Sequence, residues 1–301
     1  LRRMDHEEAA EIVQTSPLAE EADAVYVARR CAAQGDVALT DKVAERWPSS
    51  PRCIAARVAA RGNNGDVRGA VELAEASPSA PVVSNAAMRA LALAGDGAGA
   101  RELLRRLPET AVDRGTYLLA MRAHKHDVDG CLALFRACEP ATGEPVDEKL
   151  VAAALSALAE ARRRDDAAEL ARDAARRGIG LDDRGGAALV RAFRRSGDWR
   201  GALEVFDDLP VVGPLSAHAA VEACRAGADA ARAVEIVEGL EAPSLALLAD
   251  AAAACRRSDW NVEAAARVWR AGVQAGLFPA PARGDDVLTV DAHAMTVPLA
   301  V

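Results

Sequence analysis

The chain has 301 residues; hydrophobic side chains make up 51 % of it and aromatics only 3 %, so alanine, leucine and valine must build any core. Strands would draw on the β-branched and aromatic residues that are scarce here, while alanine is the best helix former, so the composition predicts an all-α protein. A net charge of −8 excludes a general polyanion-binding surface and leaves room only for a local basic stripe, and no run approaches the roughly eighteen uncharged apolar residues of a membrane span.

The first segment, "LRRMDHEEAAEIVQTSP" (1–17), places Ala9, Ala10 and Val13 on one helical face. It reads as the second helix of a hairpin whose first helix is missing, which predicts a half-present first unit and a chain that belongs to a longer protein. Downstream, Gly-Asp recurs at 35–36, 65–66, 95–96 and 197–198. Gly there closes one helix in a left-handed cap and Asp caps the start of the next. Helical first segments are predicted at "SNAAMRALALAG" (84–95), "TYLLAMRAHKH" (116–126), "VAAALSALAEARR" (151–163) and "GAALVRAFRRSG" (186–197). Each is followed by a second helix with apolar residues at offsets 0, 3, 4, 7 and 10, as in Trp199, Ala202, Leu203, Phe206 and Leu209. Proline ends most units, at Pro17, Pro48, Pro78, Pro108, Pro210 and Pro243.

The second stripe position falls at Ala9, Thr40, Ala70, Ala100, Cys131, Ala167, Ala202, Ala233 and Ala265, so the period runs between 30 and 36 residues. Nine phased helices predict an α-solenoid of stacked helical hairpins over residues 1–280. The six cysteines form no CxxC pair and read as reduced core thiols rather than a metal site or disulfide framework. His124 and His126 read as packing or surface residues, and Trp199, Trp260 and Trp269 as core. No P-loop, nucleophile constellation or metal-ligand spacing occurs, so neither cofactor, metal nor small-molecule substrate is expected, and the array reads as non-catalytic.

A tetratricopeptide array would keep a fixed period of about 34 residues. A hairpin repeat of variable length, carrying Gly-Asp and then an Ala-Leu-Glu-Val-Phe run, resembles the pentatricopeptide repeat. "PVVSNAAMRALALAGD" (81–96) is similar to that family's first helix, and "ARRRDDAAELARDAARRGIGLD" (161–182) to its second helix and outgoing loop. The resemblance implies a superhelix that binds single-stranded RNA, each base read by two or three side chains of a repeat. It also implies an adaptor role in organellar RNA processing, stability or translation, in mitochondria or plastids. The competing class is a protein-binding scaffold like the tetratricopeptide arrays, without RNA.

By the same resemblance the chief reader is a polar residue early in the first helix, at Asn85 in the third repeat. The same spacing carried along the chain gives Val25, Ala55, Thr116, Ala152, Ala187, His218 and Leu248. The partner reader stands five residues before the next reader, which places Asp147 with Thr116 and Asp182 with Ala152. Only Thr116 and Asp147 form a complete polar pair, so low sequence specificity is expected. Arginines at the ends of the first helices, Arg163 and Arg194 among them, are expected on phosphates along one edge.

After "LFPAPARG" (277–284), a linker, the helical pattern stops. Val290-Asp291-Ala292-His293 resembles the Leu-Asp-x-His signature that opens the small MutS-related nuclease domain. Residues 281–301 are thus expected to be a linker and the truncated, non-helical start of that domain. Asp291 and His293, on one side of a strand, become catalytic only where the domain is complete.

Overall fold

The computed structural model describes residues 4–77, 80–259 and 261–278, and among them every regular element is helical. The chain forms two compact units, divided between Ala157 and Leu158. The segment beyond 278 expected to be a linker, Asp291, His293 and Trp260 lie outside the described residues.

The first unit contains α1 (His6–Thr15), α2 (Glu21–Ala33), α3 (Val37–Ala44), α4 (Pro51–Asn63), α5 (Val67–Ala76), α6 (Pro81–Ala94), α7 (Gly97–Arg106), α8 (Arg114–Ala123), α9 (Val128–Thr142) and most of α10 (Glu148–Glu160). The second contains α11 (Arg164–Arg176), α12 (Asp183–Arg195), α13 (Trp199–Asp207), α14 (Pro214–Gly227), α15 (Ala230–Glu238), α16 (Leu245–Arg257) and α17 (Val262–Gln274). Even-numbered helices are the first helices of hairpins and odd-numbered ones the second, with α1 standing alone. In the first unit α2, α4, α6 and α8 pack each on the next, and in the second α12, α14 and α16 do the same.

Eight of the nine second helices start in the same way. The side chains of Asp5, Asp36, Asp66, Asp96, Asp127, Asp198, Asp229 and Asn261 each accept the backbone N–H three residues on. Such a cap contributes about 1 kcal/mol. At α11 the position holds Arg163, which makes no side-chain cap. Four residues beyond each of the nine caps lies the second stripe position, from Ala9 to Ala265, and every one is buried. Thr40, the polar member, satisfies its hydroxyl on the Asp36 carbonyl at 2.6 Å. Small residues on this seam let neighbouring helices approach closely, towards the lower end of the usual 8–10 Å or so.

The residue before the cap carries the turn. Gly35, Gly65, Gly95 and Gly197 have φ between 70° and 95°, the left-handed region predicted for them. Ala228 occupies the same place before Asp229 with φ 56°. An L-residue there costs roughly 1–2 kcal/mol, against 0.5–1 kcal/mol for the extra chain entropy of glycine. Ala228→Gly should therefore raise stability by about 0.5–1 kcal/mol, read as a higher urea midpoint with an unchanged slope.

All six cysteines are free and buried, as core thiols should be. Burial pushes Cys131 and Cys224 up to about 12 and Cys31 to about 11, and also raises Cys53, Cys138 and Cys255. Only the thiolate reacts. The native protein should therefore leave these thiols unlabelled by a disulfide reagent at pH 8, and denaturant should release them together. A fast-reacting core thiol before unfolding would contradict this packing.

Candidate nucleic-acid interface

The first helices of the first unit present one face to a groove of about 950 Å³ across α2, α4, α6 and α8. Its floor is made by alanines, among them Ala33, Ala55, Ala59 and Ala86, so it is shallow-walled and apolar. The charged residues that line it are Arg29, Arg89 and Arg122, with no carboxylate among the lining side chains. Each stands nine residues after the cap of its helix, Glu20, Ala80 or Asp113. All three are exposed. They have no carboxylate partner among the described residues, whereas Arg57, Arg61, Arg106 and Arg114 of the same unit are ion-paired. A chain of net charge −8 thus keeps a local row of unanswered positive charge.

Asn85 lines the same groove, one helical turn before Arg89. Thr116 sits elsewhere than a constant spacing suggests. The α7–α8 connection is lengthened by a 3₁₀ turn (Glu109–Ala111), and α8 is capped only at Asp113. Thr116 is therefore the third residue of its helix, the place where α4, α6, α10, α14 and α16 bury Cys53, Val83, Leu150, Ser216 and Leu247. It is 0 % exposed. Its partner is Asn85 and not Asp147: the Thr116 hydroxyl lies 2.7 Å from Asn85 Oδ1.

Asp147 and Asp182 serve helix starts. Asp147 Oδ1 accepts the Leu150 N–H at 3.0 Å, and its Oδ2 pairs with Arg114 at 3.2 Å. Asp182 Oδ1 accepts the Gly185 N–H at 2.7 Å. At α10 and α12 the position five before the reader is the cap of the first helix, which is why sequence offers aspartate there.

In the second unit carboxylates hold several of the basic groups on the first helices, while Arg191, nine residues after the Asp182 cap, has no carboxylate partner among the described residues. His218 Nε2 donates to Asp250 Oδ2 at 2.9 Å, and Arg225 holds Asp250 Oδ1 at 2.6 Å. Arg194 pairs with Glu222 at 3.1 Å and is only 20 % exposed. His218, Glu222 and Asp250 bring one potential ligand atom each within 4.8 Å of one another. With both carboxylates held by guanidinium groups, the cluster is built as a hydrogen-bonded charge network rather than a cation cage. Arg163 is paired with Asp166 across one helical turn. His124 is buried with Nδ1 on the Ala120 carbonyl, a packing residue. Trp199 is half-buried against the second core and Trp269 stacks on Phe278 at 4.7 Å.

The sequence reading missed Arg29, Arg89 and Arg122. Their shared nine-residue offset from a helix start is the signal that marks them, and it becomes visible once the caps are located.

No family model and no curated protein sequence matches the chain. Among solved structures it is similar to the crystal structure of the pentatricopeptide repeat protein PPR10 from maize. That likeness has a TM-score of 0.55 and 18 % identity, covering 90 % of this chain and 42 % of that one. It is also similar to PPR10 in complex with an 18-nt psaJ RNA element, with a TM-score of 0.65 and 17 % identity, covering 91 % and 43 %. The chain therefore has the helical-hairpin fold of these proteins and spans about two fifths of their length.

Proposed function

We propose that the chain is a single-stranded-RNA-binding repeat protein, an adaptor in organellar RNA processing, stability or translation, and that its RNA contact is the first-unit groove. The unanswered row of Arg29, Arg89 and Arg122 over an alanine floor carries this reading. Guanidinium groups stay charged at any physiological pH and match phosphodiester oxygens, while apolar floor atoms offer a surface for base faces. The fold shared with PPR10, solved in complex with an RNA element, supports it. Arg163 and Arg194, held by Asp166 and Glu222, are secondary in this reading.

Retention of labelled single-stranded RNA over a salt series tests it. Affinity should fall with salt, and each of Arg29→Ala, Arg89→Ala and Arg122→Ala should weaken binding equally for all sequences. Each should reduce the log–log salt slope by about 0.7, the contribution of one phosphate on a single strand. Arg194→Ala should change the slope less. A chain that retains no RNA at physiological salt would favour the protein-scaffold class instead.

A further inference from the structure

One side of α2 is unlike that of any other first helix. The tenth residue after the cap is a buried alanine in all seven others, from Ala60 in α4 to Ala254 in α16, and the sixth is alanine in five of them. These positions face the preceding first helix. A Cβ on Gly62 of α4 would lie 2.5 Å from Ala90 Cβ on α6, and Asp250 of α16 reaches back to His218 and Arg225 of α14. Counted from Glu20, the same two positions of α2 hold Tyr26 and Arg30. α2 is the outermost first helix among the described residues and packs on α1, α3 and α4. Where the other first helices carry a seat of small residues, it therefore carries an aromatic ring and a guanidinium group.

The ring is held in place. The Arg30 guanidinium carbon lies over it, 5.9 Å from its centroid, and Arg30 Nη2 donates to the Met4 carbonyl at 2.7 Å. A cation at that distance is attracted to an aromatic face, so a tethered group backs the ring from one side. Tyr26 is nevertheless 37 % exposed, the one exposed aromatic residue among the described residues. Its position borders the groove as well. The sixth residue after the cap lines the groove in α4, α6 and α8, as Ala56, Ala86 and Leu119, and Arg29 stands three residues beyond Tyr26 on the same helical face. We propose that Tyr26 is the end platform of the groove: the outermost base of a bound strand stacks on its free face, while Arg29 takes a neighbouring phosphate. An alanine floor gives a base little to stack on, whereas a tyrosine ring gives it a flat surface that accepts any base. The site thus fixes where the strand is held at its end and not which base stands there. The proposal rests on the RNA-binding reading given above.

The test uses the full chain and a single-stranded RNA that it retains, with a fluorescent adenine analogue that dims on stacking placed at either end in turn. Binding to the wild type should dim one end and not the other. Tyr26→Leu, which keeps apolar bulk and removes the ring, should abolish that dimming and weaken binding about tenfold, about 1.4 kcal/mol. Tyr26→Trp should keep both. Removing the nucleotide at the dimmed end should weaken binding by the wild type and leave Tyr26→Leu unchanged, so that the two then bind alike. Arg29→Ala should act through the salt slope and keep the dimming. Melting temperatures of the variants separate loss of fold from loss of the platform. A folded Tyr26→Leu protein that binds the untrimmed strand as tightly as the wild type would show Tyr26 and Arg30 to be a polar lid over α2 and nothing more, overturning the proposal. So would a weakening that is the same with the trimmed strand. Arginine-dependent retention with dimming at neither end also overturns it and leaves the RNA reading standing. Absence of any RNA retention removes both.

Discussion

Eight of the nine second helices begin on an Asp or Asn side chain that takes the N–H three residues along, and the phase of the seam follows from that bond. A helix has 3.6 residues per turn, so fixing its first residue fixes which residues face inward for its whole length. The fourth residue after each cap is then always the buried one. Because that residue is usually alanine, each contact buries little area, and cohesion comes from many close approaches instead of a few large side chains. Stability in such an array is a sum over neighbouring hairpins.

This constraint explains which parts of the protein could be read from its sequence. Glycine needs a left-handed turn and aspartate a helix start, both local demands, so Gly95-Asp96 or Gly197-Asp198 announces itself. Asp113 and Thr116 show where local reading stops. Their reciprocal capping bonds start α8 two residues later than the repeat spacing implies, and a side chain expected on the groove becomes buried. Asp147 and Asp182 illustrate the opposite confusion, since the residue that would read a base and the residue that caps a helix are the same chemical type. The arginines are a third case. Arg89 stands nine residues after its helix cap and Arg194 twelve, and their surroundings differ as well: α14 carries Glu222 against Arg194, while nothing acidic lines the groove around Arg89.

Most acidic groups of this chain are already committed. They cap helices, as at Asp36 and Asp198, or hold arginines between helices, as Asp41 holds Arg57 and Arg61. Burial alone would raise the Asp183 carboxyl, yet the Ser216 hydroxyl and the Ser216 and Leu215 N–H groups hold it below its ordinary value. Asp183 thus ties α12 to the start of α14 much as Asn85 ties α6 to α8. The parallel shows one device in two settings: between α12 and α14 it is purely a fastener, and between α6 and α8 the fastener also borders the groove. A negative overall charge and a positive groove are therefore compatible, because net charge counts groups while the local field counts only those left unanswered.

The spacing of caps has a consequence for how such a chain can change. From first-helix cap to second-helix cap the distance is 16 residues at Glu20–Asp36, Ser50–Asp66, Ala80–Asp96, Asp182–Asp198 and Gly213–Asp229. From a second helix to the next first helix it varies, from 14 at Asp36–Ser50 to 20 at Asp127–Asp147. The hairpin is a gauge of nearly fixed length, departing to 14 at Asp113–Asp127 and 17 at Ser244–Asn261, and the connection between hairpins is the slacker part. Doubling a flexible connection costs only about 0.6 kcal/mol. Insertions, tags or whole modules can thus enter along that one rim without moving any groove residue relative to its own helix, so the rim can diversify while the groove keeps its geometry.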